Sequence, residues 1–362
     1  GYFYLTIPSI TLFGLNEFAV RFPSALLGAL TTIPLFHLVS AITRQKNMSY
    51  LSTLLLSLSP WHISLSRATS EGIVAIFFVL TGIIFLVKAL LKKDRKYYLI
   101  ASFTLFLLSY FFYHSARLLV PIFALTVIIY FWRSSPKINS VKKSSLFVTT
   151  LLFGLALIFA SNKEARGRFS QVSIFNDLNV KKTLDQMPFE EGQNKVFIAR
   201  AFHNKVIVYS TRFIDEYTKY FSPDFLISGK GLPIRYTTVG NGLLTYVEFV
   251  FFVLGISVIL RKNLPSLPLL LLFIAPLPAA LTTEDAPNLH RAIYMIPFFS
   301  IISAYGLYQL KKSHNLLYKT LIVAVVFNSV YFFHMYLVHN PIHEPIPLNR
   351  NLGAKETIIA IF

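Results

Sequence analysis

Cysteine is absent from this chain. That excludes disulfides, thiolate catalysis and zinc held by thiolates, and says little about compartment. Charge is scarce: 14% of the 362 residues are Asp, Glu, Lys or Arg, against 54% hydrophobic, which argues against a single soluble domain. Acids are fewer still, 16 against 34 lysines and arginines. A signal peptide is also lacking, since the apolar residues 1–15 contain Pro8 and carry neither a basic stretch nor a cleavage site. No internal repeat is evident, which disfavours the inverted-repeat transporters.

What the chain does have is ten apolar runs between Leu26 and Leu337. The spacing predicts spans at about 24–42, 50–58, 70–91, 97–112, 118–132, 145–161, 243–260, 266–281, 292–310 and 316–337. Runs such as 72–91 are long enough to cross roughly 30 Å of hydrocarbon. The expected architecture is an all-α polytopic bundle. Residues 1–23 end a first extracytoplasmic loop, 24–161 and 242–338 hold the transmembrane helices, and 339–362 begin an extracytoplasmic segment. Between them, 162–241 form a long extracytoplasmic loop in which 196–221 show apolar residues at helical spacing, as in an amphipathic helix on a membrane surface. Pro23 is expected at a helix start, where its missing N–H costs nothing.

The gaps between runs alternate. Every second gap is loaded with cations, among them Arg44 and Lys46, Lys92 to Lys96, Arg261 and Lys262, and Lys311 and Lys312. By the positive-inside rule these are cytoplasmic. The +18 formal charge is thereby explained by topology, with twelve more cations lying beside eight acids in the long loop. No compact basic face with interleaved aromatics remains for nucleic acid.

The other short gaps each carry one arginine and no lysine: Arg21, Arg67, Arg117 and Arg291. A lone arginine where cations are disfavoured points to a held anion, because its fork suits a phosphate bidentately. Near Arg21 stands Glu17, four residues away, an arrangement that equally makes a surface ion pair. Near Arg67 stands Glu71, which also fits a helix first turn capped by Thr69 or Ser70. His114, Tyr110 and Tyr113 flank Arg117, where a snorkelling arginine in a tyrosine belt is the plainer reading. His290 adjoins Arg291, with Glu284 and Asp285 as its compensating acids; those two carboxylates also offer oxygens to a divalent cation.

Three patterns carry no chemistry. Ser228-Gly229-Lys230-Gly231 lacks phosphate-loop spacing. Pro341 and Pro345 break any helical face for His339, His343 and Glu344. The sequon Asn47-Met48-Ser49 lies in a cytoplasmic turn.

Set in order, several pieces resemble the GT-C glycosyltransferases, closest to the bacterial glycosyltransferase family 39 group, similar to dolichyl-phosphate-mannose protein mannosyltransferases and lipid A aminoarabinose transferases. They are Phe13-Gly14-Leu15-Asn16-Glu17 with Arg21-Phe22-Pro23-Ser24, Ser59-Pro60-Trp61-His62 with Arg67 and Glu71, Tyr113-His114-Ser115-Ala116-Arg117, Phe221-Ser222-Pro223-Asp224, and Thr282 with His290-Arg291. The resemblance implies a multi-pass enzyme of the plasma (inner) membrane with its site on the extracytoplasmic face. It implies transfer of a hexosyl or pentosyl unit from a polyprenyl-phosphate carrier to a protein, lipid or glycan acceptor. It also implies a catalytic carboxylate upstream of Gly1 and further C-terminal sequence, so the catalytic base is unassigned and the role is not given to Glu17. Arg67, Glu71, His114, Arg117, His290 and Arg291 are then the substrate and phosphate residues, with Glu17, Arg21, Glu284 and Asp285 supporting them. The resemblance implies a polyprenyl-phosphate-linked sugar as donor and assigns no further cofactor, with a divalent cation as an option. Two other classes fit some of these features. A transporter or flippase of an anionic lipid-linked glycan needs charge at mid-membrane, for which Glu248 is the internal carboxylate; a polymerase or ligase of lipid-linked glycans differs mainly in acceptor.

Overall fold

The computed structural model describes residues 1–91, 95–134, 139–161, 171–190, 204–229, 242–262, 264–284 and 286–339, with 167, 197, 201–202 and 232 as isolated positions. It is a helical bundle, and the described residues form no extended sheet. The helices are α1 (Tyr2–Phe13), α2 (Glu17–Leu30), α3 (Thr32–Thr43), α4 (Lys46–Leu58), α5 (Pro60–Arg67), α6 (Glu71–Leu91), α7 (Arg95–Phe112), α8 (His114–Ser134) and α9 (Asn139–Ser161). After them come α10 (Leu178–Glu190), α11 (Lys205–Lys219), α12 (Tyr246–Arg261), α13 (Leu267–Ile274), α14 (Leu277–Ala280), α15 (Ile296–Ser313) and α16 (Asn315–His334).

All ten expected runs are helical. Six helical stretches are long and apolar enough to cross a membrane: Glu17–Thr43, Glu71–Leu91, His114–Trp132, Ser144–Ser161, Ile293–Ser313 and Asn315–His339. The apolar helices Lys96–Phe112 and Leu267–Ala280 are shorter, as are α4 and α12. Two spans form the centre, with 72% of the α6 window and 83% of the α15 window buried. Ser144–Ser161 and Asn315–His339 stand at the edge, with 17% and 11% buried, and offer their apolar residues to lipid. α12 and α15 meet through glycine: an added Cβ on Gly255 would strike the Ile302 carbonyl, and one on Gly306 the Phe251 carbonyl. Small residues at such a crossing let backbones approach where no hydrophobic force separates lipid from protein.

The first span begins earlier than its apolar run. Asn16 caps α2, its Oδ1 accepting from the Ala19 N–H at 2.8 Å, so Pro23 lies inside the helix rather than at its start. An internal proline frees the carbonyl four residues back. Here that is Ala19, and Ser9 Oγ of α1 donates to it at 2.6 Å. The Tyr2 hydroxyl enters the same ladder, donating to the Val20 carbonyl at 2.8 Å and accepting from the Ser24 N–H at 3.2 Å. Residues 2–13, expected as loop, are thus a helix that repairs the proline break in α2.

The amphipathic helix is likewise shorter than the periodicity predicts. Its regular part starts at Lys205, because Asn204 accepts from the Ile207 N–H at 3.0 Å and caps it. Residues 196, 198–200 and 203 lie outside those described. α11 turns Phe213, Glu216, Tyr217 and Tyr220 toward the bundle and leaves Val206, Ile207 and Ile214 exposed. Exposed aliphatics beside an apolar bundle suit contact with lipid.

Candidate functional site

The arginines read from sequence lie at one end of the bundle, the end whose short connections carry no lysine. There the α4–α5–α6 connection, the α7–α8 corner, the long loop and the α14–α15 segment converge.

α5 starts with Pro60 at its first position and ends at Arg67, a cation suited to a helix C-terminus. Thr69 then adopts φ 51, a conformation costly for a β-branched residue and typical of places where geometry is imposed. Ser70 holds the turn: its N–H donates to the buried Ser24 Oγ at 3.1 Å, and its Oγ accepts from the Ile73 N–H at 3.4 Å. Ser70, not Thr69, therefore caps α6, and Glu71 occupies the first turn, where the helix dipole favours a carboxylate. Because the chain reverses at Thr69, Arg67 and Glu71 stand on different helices and do not share a helical face. Arg67 is exposed and lies over the Tyr336 ring, 5.3 Å from its centroid.

Arg291 is the best-fixed of the four arginines. Its guanidinium donates to Thr282 Oγ1 at 2.7 Å, to the Glu284 carbonyl at 3.0 Å and to Glu284 Oε2 at 2.8 Å. Asn288 shapes the turn beneath it, its Oδ1 accepting from the N–H groups of His290 and Arg291 at 3.0 and 3.1 Å. The Asn288 N–H in turn donates to the hydroxyl of Tyr220, a fully buried side chain at the end of α11. Burial pushes the Tyr220 phenol up to about 12 while the Asn288 N–H and the Arg291 charge pull it down. Tyr113, at the α7–α8 corner, is pushed up to about 12 by burial, with Ser115 and Arg291 opposing and Tyr220 and Glu71 adding to the rise. Glu71, Tyr113, Tyr220 and Arg291 thus sit in one electrostatic neighbourhood, although they come from four separate parts of the sequence. Both phenols keep their protons at neutral pH.

The long loop is seated on this end. Ser173 pairs with Thr282 in an antiparallel bridge, the Ile174 N–H donates to the Leu281 carbonyl at 3.1 Å, and the Thr283 N–H donates to the Val172 carbonyl at 2.9 Å. The Tyr217 hydroxyl donates to the Phe273 carbonyl at 2.7 Å, which ties α11 to the end of α13. Beneath α11 lies a carboxylate that the sequence did not single out: Glu216 is 1% exposed and meets Arg212 at 3.0 Å and Lys219 at 2.8 Å. Arg212 also reaches Asp177 at 3.4 Å and Asp215 at 3.6 Å. The available signal was the spacing of Arg212, Glu216 and Lys219 at one helical turn on either side.

The remaining candidates are spread around this cluster. Arg117 Nε donates to the Tyr110 carbonyl at 3.2 Å and its guanidinium lies 4.9 Å from the Phe159 ring centroid, so it is spent within the α7–α8–α9 wall. His114 is exposed at the first position of α8, and His290 is half-buried beside Arg291. Glu17 and Arg21 form a direct ion pair on α2. Glu248, expected within its span, is buried in the first turn of α12, close to the lysine-poor end rather than at the middle of the helix. Asp285 lies outside the described residues. The Glu284 carboxylate is engaged by Arg291, and among the described residues no group of three or more His, Asp or Glu stands ready for a metal ion.

Together these features define a polytopic helical membrane protein with a polar, arginine-centred cluster at one end. Residues 1–161 match the family model described as dolichyl-phosphate-mannose-protein mannosyltransferase. Over those residues, which carry α1–α9 and three of the four lone arginines, the chain is similar to that family. A search of curated proteins finds no match. Among solved structures, the Archaeoglobus fulgidus oligosaccharyltransferase is similar in its complex with Zn and sulfate (13% identity, TM-score 0.49, 94% of this chain) and in its apo form (16% identity, TM-score 0.47, 93% of this chain). The chain spans 43% and 46% of those two chains, less than half their length.

Proposed function

We propose that the chain is a GT-C-type glycosyltransferase that moves a sugar from a polyprenyl-phosphate carrier to a protein, lipid or glycan acceptor at the extracytoplasmic face of the plasma membrane. The observation that carries this reading is Arg291, fixed by Thr282 and Glu284 at the mouth of an apolar bundle, where its charge is felt by the phenols of Tyr113 and Tyr220. The match of residues 1–161 to the mannosyltransferase family supports it, and the cation alternation favours an extracytoplasmic position for this end.

In this reaction the acceptor oxygen or nitrogen forms a bond to the anomeric carbon as the bond from that carbon to the phosphate oxygen breaks. The acceptor proton passes to a base, and the polyprenyl phosphate leaves with the electron pair. Charge grows on the departing phosphate, and a prepositioned guanidinium with two phenolic donors lowers the energy of that state. Glu284 holds the guanidinium in register, so little reorganisation is needed at the moment of transfer. Glu71, half-exposed in the same neighbourhood, is suited to accept from sugar hydroxyls. Apolar helix walls hold the polyprenyl tail. Glu17 takes no part as base, being paired with Arg21.

The test is sugar release from a polyprenyl-phosphate donor in reconstituted membranes, comparing the natural chain with Arg291→Ala and Arg67→Ala. Loss of release in Arg291→Ala with an unchanged unfolding midpoint supports the assignment. Unchanged release in both variants overturns it. The products separate the acceptors: free polyprenyl phosphate with a modified protein means protein glycosylation, and a lengthened lipid-linked glycan means a polymerase or ligase.

A further inference from the structure

α16 ends at His334, and the chain continues into a single π-helical turn, Met335–His339. On a regular α-helix, residues five apart point about 140° away from each other. A π turn closes that angle, because it bonds each residue to the fifth along. It brings the Nε2 atoms of His334 and His339 to 3.2 Å, with ring centroids 4.9 Å apart and planes at 74°. His334 is exposed and His339 half-buried, and the contact between them is exposed. His339, which Pro341 cuts off from a helical face with His343, thus finds a ring partner on its N-terminal side.

Two facing imidazole nitrogens at this distance need a proton or a metal ion between them, since each nitrogen is either a donor or an acceptor. Geometry distinguishes the metals. Two nitrogens each about 2.05 Å from one tetrahedral zinc stand about 3.3–3.4 Å apart, whereas at the right angle of a square-planar ion they stand about 2.9 Å apart. The observed 3.2 Å is nearer the tetrahedral value. The turn itself is the second observation. π turns are rare and concentrate at functional sites, and an exposed hydrogen bond between neutral rings gains little over one to water. Packing holds this turn in place: Tyr336 stacks on the buried Phe332 ring, 5.4 Å between centroids, and Arg67 lies over its other neighbourhood at 5.3 Å.

We propose that His334 and His339 form a two-imidazole site for a divalent transition-metal ion of the zinc class, held through both Nε2 atoms with water completing the tetrahedron. Imidazole suits zinc and its neighbours, while magnesium and calcium take oxygen ligands. The bound nitrogens must be free of protons, so affinity falls as pH drops through the ordinary histidine range near about 6.5. The site uses neither Arg67 nor Arg291 as a ligand, so it stands or falls apart from the transferase reading.

The test titrates zinc into the purified full chain in detergent and follows binding by calorimetry, beside His334→Gln, His339→Gln and the double variant. Unfolding midpoints without metal, unchanged in all three, show that the variants are folded. Each single substitution is expected to weaken zinc binding by at least about 100-fold, the upper end of the loss on removing even an outer-shell partner. Binding to the natural chain is expected to be strong at about pH 7.5 and lost at about pH 5.5, with magnesium giving no signal at either. If the double variant binds zinc as tightly as the natural chain, the ion sits on other side chains. If only one substitution matters, the two rings are not a joint site. If zinc does not bind the natural chain, the rings share only a proton. Each of these three results overturns the proposal.

Discussion

At the lysine-poor end, Arg291 is held by Thr282 and by both the carbonyl and carboxylate of Glu284, and Arg212 is met by Asp177, Asp215 and Glu216. At the lysine-rich end, Lys88, Lys311 and Lys312 rest over the rings of Phe85, Tyr318 and Tyr308. A guanidinium in a fork of acceptors has one position; an ammonium over a ring keeps much of its freedom. The first arrangement fixes a cation in place, as the proposed anion site at Arg291 requires. The second supplies a field, enough to orient the chain in a bilayer and to draw headgroups. Cation number is therefore a poor guide to chemistry here, and cation fixation a better one.

The sharpest way to break this contrast is to remove one cation from each end. Arg291→Ala is expected to lower sugar release by about 10²–10³-fold, the usual loss when one preorganised donor to developing charge is removed. Lys311→Gln, at the opposite end, is expected to change it by less than about twofold. Turnover measured on donor-loaded vesicles decides: equal losses in both variants would mean that fixation has no bearing on the reaction.

Acid should also act unevenly on the two ends. His62 on α5 is buried, its Nε2 has no partner among the described residues, and burial lowers its pKa from 6.5 to about 4. A group whose folded pKa is depressed binds its proton more readily when unfolded. The fold therefore loses stability as pH falls below about 6.5 and has lost the full contribution near pH 4. The shift corresponds to about 3 kcal/mol. Unfolding midpoints between pH 7.5 and 4.5, compared with His62→Phe, test it: the variant should lose this part of the pH dependence, and parallel curves would remove His62 from the account.

Glu216 offers a smaller test of the same end. Glu216→Gln leaves Arg212 without its buried partner. Because Arg212 and Lys219 are about a third exposed, water recovers part of the loss, and a destabilisation of about 2 kcal/mol is expected rather than the larger cost of a wholly buried pair. Denaturant midpoints report it. A change below about 0.5 kcal/mol would show that α11 is seated by Tyr217 and Tyr220 alone.

Glu216 also marks where sequence reasoning ends. The ten apolar runs were readable because each is a local pattern, and the two ends were readable because cation-rich and cation-poor gaps alternate along the chain. Arg291 could be singled out since a cation was present where topology disfavours one. Tyr220 could not, because its place beside Asn288 depends on the long loop docking through Ser173 and Thr282, a contact between residues 109 positions apart. A buried glutamate on an amphipathic helix reads locally as a solvated one. α1 was hidden for a similar reason: its task is to satisfy Ala19 and Val20 around Pro23, and nothing in residues 2–13 announces it.

The smallest expected effect concerns Glu17 and Arg21, which the sequence presents in the same way as the other arginines with nearby acids. In the fold, Glu17 is 72% exposed and pairs with Arg21 one helical turn away. An exposed pair at that spacing contributes about 0.3–0.5 kcal/mol, weakened further by salt. Glu17→Ala should therefore shift the unfolding midpoint slightly at low ionic strength and not at all at high, while Glu17 at the first turn of α2 also loses a small dipole term. Arg291 and Arg21 then differ in kind: one is bound by a loop folded for the purpose, the other by the neighbour its helix happens to provide. A fall in sugar release on Glu17→Ala comparable to that of Arg291→Ala would erase that distinction and return Arg21 to the site.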